Sequence, residues 1–361
     1  MRLRLLPPLL ACALACAAPA RATAADAAHV AAAAERAHAL DLARDPQWRA
    51  LLHYRADRFG GGVTSVADEP DFFLAPQGRT DPRAELDATL AALAAPAGAV
   101  ARADQHPQCA FPARFAWLDA RLGLVAGGVA RQPCPAFAEW RALLGPVRGV
   151  SLIFPEAFLN NPASMFGHTL LRIDAAPPTD TVERRDLLAW AVNFAAETGS
   201  DGGALFAVKG MVGAYPAYFS LWPYAEKVKQ YADWESRDIW EYRLPLADAE
   251  VERLLLHVWE LRGVRFDYYF FDENCSWALL GLLRVARPDV DLQGRFAAWA
   301  IPADTVRVAL ADLGLAGDVT WRASAATRIG HDARWLDAGE RRLALALASG
   351  ARAPDDPAVA A

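Results

Sequence analysis

Lysine is nearly absent from this chain: only Lys209, Lys227 and Lys229 occur, and arginine carries the rest of the positive charge. The overall balance is acidic, with a formal charge of −6. A chain with no basic excess is a poor partner for nucleic acid, and it does not dock on anionic lipid by simple electrostatics. Long apolar runs are also missing after the first residues. Every later stretch meets a charge within about 18 residues, so none reads as a membrane span. Cysteine is scarce, at five residues, and Cys12 and Cys16 belong to the leading apolar stretch.

That leading stretch begins with Arg2 and Arg4, runs apolar from Leu5 to Ala18 and ends Ala20-Arg21-Ala22. It reads as a cleaved signal peptide over residues 1–22, and hence as export to the periplasm. Its cysteines sit in poor lipid-attachment boxes, so soluble export is favoured over lipid anchoring. Cleavage would remove three arginines and no acid, moving the formal charge from −6 to −9.

Cys109, Cys134 and Cys275 then remain. In an oxidising compartment two of three usually pair. Cys109 and Cys134 share similar settings, Pro107-Gln108-Cys109 and Gln132-Pro133-Cys134, and bracket a short amphipathic segment. Their disulfide would contribute about 3 kcal/mol. Cys275 is left as the odd thiol. A buried structural cysteine is one reading; a reactive one is the other.

The context of Cys275 favours reactivity. Phe271-Asp272-Glu273-Asn274-Cys275-Ser276-Trp277 reads as a helix opening on Cys275, with Asn274 as N-cap. The positive end of the helix dipole favours a thiolate there. Asp267, Asp272 and Glu273 would oppose it if they faced the sulfur, so they are expected to point away, toward Arg265 or Arg284. About a hundred residues earlier, Gly167-His168-Thr169-Leu170-Leu171-Arg172 reads as a strand opening on His168. Gly167 suggests a close backbone approach or a positive-φ corner. A histidine base and a cysteine nucleophile make a Cys-His enzyme, whose order along the chain is immaterial.

Residues 23–145 are Ala- and Leu-rich with helical spacing, including a helix from Pro82 to Leu93, and read as a helical N-terminal domain. A second domain follows over 146–310, opening with the β-type run Val150–Phe154, and residues 311–361 form a C-terminal extension. Leu187–Phe194 is the next strand after His168. A hairpin centred near residue 180 or 181 would set Asn193 opposite His168, where it could orient the imidazole or merely satisfy backbone groups. Gly203–Val208 and Asp238–Leu244 read as further β-like runs. Between them, Gly213–Tyr224 is dense in aromatics, Gly and Pro, and reads as a loop carrying rings over a cleft; any single ring could equally fill the core. Leu246–Arg262 reads as a helix with Asp248 as N-cap and Gly263 as terminator, on which His257 is packed or at the surface.

Four segments carry a resemblance: Asn161-Pro162-Ala163-Ser164-Met165-Phe166-Gly167-His168-Thr169, Trp190–Phe194, Trp234–Tyr242 and Phe266–Cys275. Over roughly residues 140–310 the chain resembles the Lnb N-terminal periplasmic domain family. Ser65–Ala75 looks like part of the helical domain that often precedes it. The resemblance implies an α+β fold of circularly permuted, papain-like (NlpC/P60-type) design, with an antiparallel sheet and packed helices. It also implies lipoprotein transacylase-like chemistry, with Cys275 as the acyl-accepting nucleophile and His168 as its base.

The expected reaction is acyl transfer or hydrolysis through a thioester on Cys275. Asn193 would orient His168. The oxyanion would be met by the Cys275 backbone N–H, with Ser164, Asn161 or Asn274 nearby. No cofactor and no metal are expected. The substrate would be a lipid-modified protein or a membrane lipid. A peptidoglycan peptide is the alternative for an NlpC/P60-type cell-wall peptidase, and a catalytically silent binding domain is the third reading.

Overall fold

The computed structural model describes residues 24–57, 60–158, 166–175, 188–199, 203–296, 298–317 and 319–355. The expected signal peptide, Asn161 and Ser164 lie outside the described residues.

Most helices in the N-terminal part start on prolines, whose missing N–H costs nothing in a first turn. The helix Pro46–Leu51 is capped by Asp45, which accepts from the Gln47 N–H at 2.8 Å, and Pro82–Leu93 by Asp81, which accepts from Arg83 and Ala84 at 3.0 Å each. Pro107–Ala110 and Pro112–Leu122 begin the same way. A short antiparallel hairpin, β1 (Tyr54–Ala56) and β2 (Val63–Ser65), lies among them. Cys109 and Cys134 form a disulfide with Cα atoms 5.2 Å apart.

From Val147 onward the chain builds a sheet. Its strands are β3 (Val147–Pro155), β4 (Leu170–Ala175), β5 (Trp190–Ala196), β6 (Tyr215–Pro223), β7 (Ile239–Arg243), β8 (Phe266–Tyr268) and β9 (Thr320–Arg322). Among the described residues this is a seven-stranded antiparallel sheet in the order β8-β6-β5-β4-β3-β7-β9. With the helices packed on it the fold is α+β. The strand that follows His168 is the central one. Against it and β5 packs the helix Cys275–Ala286, buried at nearly every position, as its almost unbroken apolar sequence requires.

Three local readings are corrected. Gly203–Met211 is a helix rather than a β-run. A short apolar segment carries no period that separates the two; the helix it forms packs Gly210 against the Phe270 ring, which lies where a Cβ would stand. The aromatic segment is strand β6 rather than a loop: Tyr215, Ala217 and Phe219 face inward in strict alternation, paired to β5 and in part to β8. Pro216 is tolerated near the strand start, where its carbonyl accepts the Glu197 N–H at 2.8 Å. The later helix runs Asp248–Glu260 and is preceded by Ala247, whose N–H is held by the Glu250 carboxylate at 2.8 Å; Asp248 is its first residue, not its cap.

The two halves share one core, which runs from Ala33 to Leu313. Buried polar groups tie it together. Glu260 accepts the N–H groups of Ala113 (2.7 Å) and Arg114 (3.0 Å), so it caps the helix Pro112–Leu122 from across the core. Arg114 in turn pairs with Glu85 at 3.0 Å, both fully buried. His257 is buried and bridges Glu260 (2.9 Å) to His53 (2.9 Å).

Candidate active site

Cys275 opens its helix because Asn274 caps it. The Asn274 Oδ1 accepts from the N–H groups of Ser276 (3.1 Å) and Trp277 (3.3 Å) and from the Ser276 hydroxyl (2.8 Å). Its amide donates to the carbonyls of Phe270 (3.1 Å) and Ala300 (2.7 Å). Both amide protons are thus committed. Asn274 shapes the helix start and ties down the 298–302 segment, with no proton left for an oxyanion.

His168 is aimed by the turn before it. Gly167 has φ 97°, and a Cβ there would lie 2.7 Å from the Phe154 ring, so only glycine fits the corner. The His168 N–H donates to the Pro155 carbonyl at 3.2 Å, and Arg237 donates to the same carbonyl at 3.0 Å, holding the end of β3 in place. The Tyr231 ring stands 6.0 Å from the imidazole, with the Arg237 guanidinium 4.9 Å above it.

Asn193 meets the ring as anticipated, but by a different register. In β4–β5, Leu171 lies opposite Val192, so the ladder continues to Leu170 opposite Asn193 and His168 precedes the strand. The slip is two residues, which preserves the face because side chains alternate with period two. Asn193 Oδ1 accepts from His168 Nε2 at 2.8 Å. That leaves Nδ1 for the Cys275 thiol, which hydrogen-bonds the ring.

Three further groups surround the sulfur: the Thr169 N–H, the Tyr268 hydroxyl and the Cys275 N–H itself, which donates to Tyr268 Oη at 3.4 Å. Burial pushes the thiol pKa up. The facing imidazolium and the hydrogen bonds from His168, Thr169 and Tyr268 outweigh it, so the net direction is down. Burial pushes His168 down, but the thiolate charge, its hydrogen bond and that of Asn193 leave it raised. Both shifts favour a thiolate–imidazolium pair.

Glu273 turns away, as expected, but to a different partner. Glu273 pairs with Arg55 of β1, not with Arg265 or Arg284. Asp272 accepts the Glu273 N–H at 3.1 Å, and the Asp267 backbone N–H binds Asp68 at 2.8 Å. The sequence alone gives Tyr268 no role; its place seven residues before Cys275, in an aromatic run, is the one signal there.

Cys275 forms part of the wall of a cavity of about 620 Å³. Phe166, Met211, Phe270, Phe271, Trp299 and Ile301 supply most of the remaining lining, while Tyr268, Asn274 and Cys275 bring the polar side chains. The volume is that of a small-molecule site, and the lining is suited to an apolar ligand. The rings are thus not those of Gly213–Tyr224, which pack in and around the sheet.

None of the described helices is long and apolar enough to cross a membrane. Among the described residues, no cluster of His, Cys, Asp or Glu could hold a metal ion. Comparison with curated proteins gives no match, and neither does comparison with solved structures. Residues 40–121 match a domain of unknown function (DUF7843). Residues 136–312, which carry Cys275, His168, Asn193 and Tyr268, match the Lnb N-terminal periplasmic domain and form a domain of that family.

Proposed function

We infer that the protein is a thiol acyltransferase or hydrolase working through a thioester on Cys275. The observation that carries this reading is the Cys275–His168–Asn193 chain of hydrogen bonds set in the wall of an apolar cavity. The family, a periplasmic domain tied to a lipoprotein-modifying enzyme, points the same way. A lipid-modified protein or a membrane lipid is the substrate this proposal names. The permuted papain-like design belongs to the same proposal: histidine just before the central strand, cysteine at the start of the packed helix.

In the first step the Cys275 thiolate attacks an ester carbonyl, forming a C–S bond. The oxyanion is met by the Cys275 N–H and the Tyr268 hydroxyl. As the tetrahedral intermediate collapses, the ester C–O bond breaks and the imidazolium gives its proton to the departing alkoxide. An amine or water then loses a proton to His168, attacks the thioester and releases the thiolate. Asn193 holds the ring so that the same nitrogen serves both steps.

Against an NlpC/P60-type cell-wall peptidase stands the character of the cavity. A muropeptide carries charged and amide groups that need polar partners, and aromatic walls would leave them unpaired. The test is intact-mass spectrometry after incubation with diacylglyceryl peptide or phospholipid. A hydroxylamine-labile acyl adduct on Cys275 supports the reading. Cleavage of muropeptides with no adduct would replace it with the peptidase.

A further inference from the structure

The helix Gly203–Met211 has an apolar surface that folding does not use. Its inward side is Phe206 and Gly210: Phe206 packs on Tyr215 at 5.8 Å and Phe270 at 5.0 Å, and the Gly210 carbonyl accepts the Phe270 N–H at 2.9 Å. At 100° per residue, Ala207 and Met211 come next around the helix, then Val208, Val212 and Leu205. Ala207 and Met211 line the Cys275 cavity. Leu205, Val208, Met211 and Val212 are each between 50% and 62% exposed. The only charged side chain on the helix, Lys209, follows at the far side of this arc. A helix apolar around most of its circumference is ordinarily buried, and this one is not.

The arc continues into the mouth of the cavity, where Phe166, Phe271 and Trp299 are 49%, 54% and 64% exposed. We propose that this patch is a membrane-docking face, with the helix Gly203–Met211 and the Trp299 rim seated in the interfacial layer of a phospholipid bilayer. The proposal rests on the acyl-transfer reading in one respect: a bilayer presents acyl chains at the cavity mouth, whereas a protein partner or second copy seated there would close it. The other grounds are independent. Exposed tryptophan and phenylalanine beside aliphatic side chains suit the headgroup boundary, and the bordering Lys209 suits phosphate. The acidic net charge means that apolar insertion, and not long-range attraction, supplies the binding.

Co-sedimentation with vesicles of phosphatidylethanolamine containing phosphatidylglycerol tests the proposal. The wild-type protein should partition onto the vesicles, with little loss when salt is raised tenfold, and its tryptophan emission should shift to the blue by more than that of Trp299→Phe. Leu205→Gln with Val212→Gln, two exposed positions that do not line the cavity, should lower the partition coefficient about tenfold while thermal melting is unchanged. Cys275→Ser should bind as wild type does. Wild-type protein that stays in the supernatant, or a double variant that binds equally well, overturns the docking face. So does sedimentation showing a dimer that the double variant dissolves. Acylation of Cys275 by a soluble short-chain thioester separates the two ideas. Acylation without vesicle binding removes only the docking face, and vesicle binding without acylation removes only the thioester reading.

Discussion

Asn193 Oδ1 lies 2.8 Å from His168 Nε2, and this bond decides which nitrogen the imidazole presents to Cys275. It fixes the ring plane, occupies Nε2 and stabilises the protonated ring. Asn193→Ala should therefore keep measurable activity and lose about tenfold to a hundredfold, less than removal of the base itself. The variant should also lose activity at lower pH on the alkaline side, because a bond that raises the His168 pKa is gone.

Cys275→Ser and His168→Ala should each lower turnover by about a thousandfold or more, since a serine hydroxyl does not ionise here and the two groups act as a unit. The double variant should be no worse than either single one. Acyl-adduct formation and steady-state turnover measure this. Wild-type turnover in Cys275→Ser would make the cysteine structural.

The wild-type pH profile should be bell-shaped. Activity requires thiolate and imidazolium together. The thiol pKa is lowered, so the rising limb should lie below the ordinary thiol value of about 8.5. The imidazole pKa is raised, so the falling limb should lie above its ordinary value of about 6.5. Both limbs belong to the coupled pair. A single sigmoidal rise through the ordinary thiol range would mean that no ion pair forms.

Tyr268→Phe removes the hydroxyl beside the Cys275 N–H and leaves the ring stacked near Phe194, with centroids 6.0 Å apart. Turnover should fall about a hundredfold, the range seen for loss of one oxyanion donor. KM should change little, and the rising pH limb should move upward because a bond that lowers the thiol pKa is lost. Unchanged kcat would exclude Tyr268 from the chemistry.

His257 tests scaffold against site. It is buried between His53 and Glu260, away from the sulfur. His257→Ala should cost about 2–4 kcal/mol of stability, by opening a cavity and leaving Oε2 of Glu260 without its partner, while turnover per folded molecule stays near wild type. His53 is held neutral, its pKa pushed well down by burial first and by His257, Arg284 and Arg114 next. The unfolded chain therefore binds the extra proton first. Stability contributed by His53 is complete above about pH 6.5 and declines as pH falls below it. Denaturant midpoints across that window should drop less in His53→Gln than in wild type.

Local chemistry carried much of this molecule in the sequence itself. The Asn274 cap and Cys275 helix start, the Pro82–Leu93 helix, the Gly167 corner and the Cys109–Cys134 pairing each depend on residues close in sequence or on simple counting of thiols. Side-chain alternation likewise placed Asn193 on the His168 face even though the register was two residues off. What only the tertiary structure decided were features whose determining contacts come from far along the chain. Gly203–Met211 is a helix packed through Phe206 and Gly210 on Phe270. Pairing with β5 and β8 made the aromatic segment a strand. Arg55, over two hundred residues away, took Glu273 from the sulfur, and the cavity walls were gathered from Phe166, Met211, Phe271 and Trp299. A period-two or period-3.6 pattern records which face of a segment is apolar, but not which partner will cover it, because that choice is made by closing long loops around one shared core.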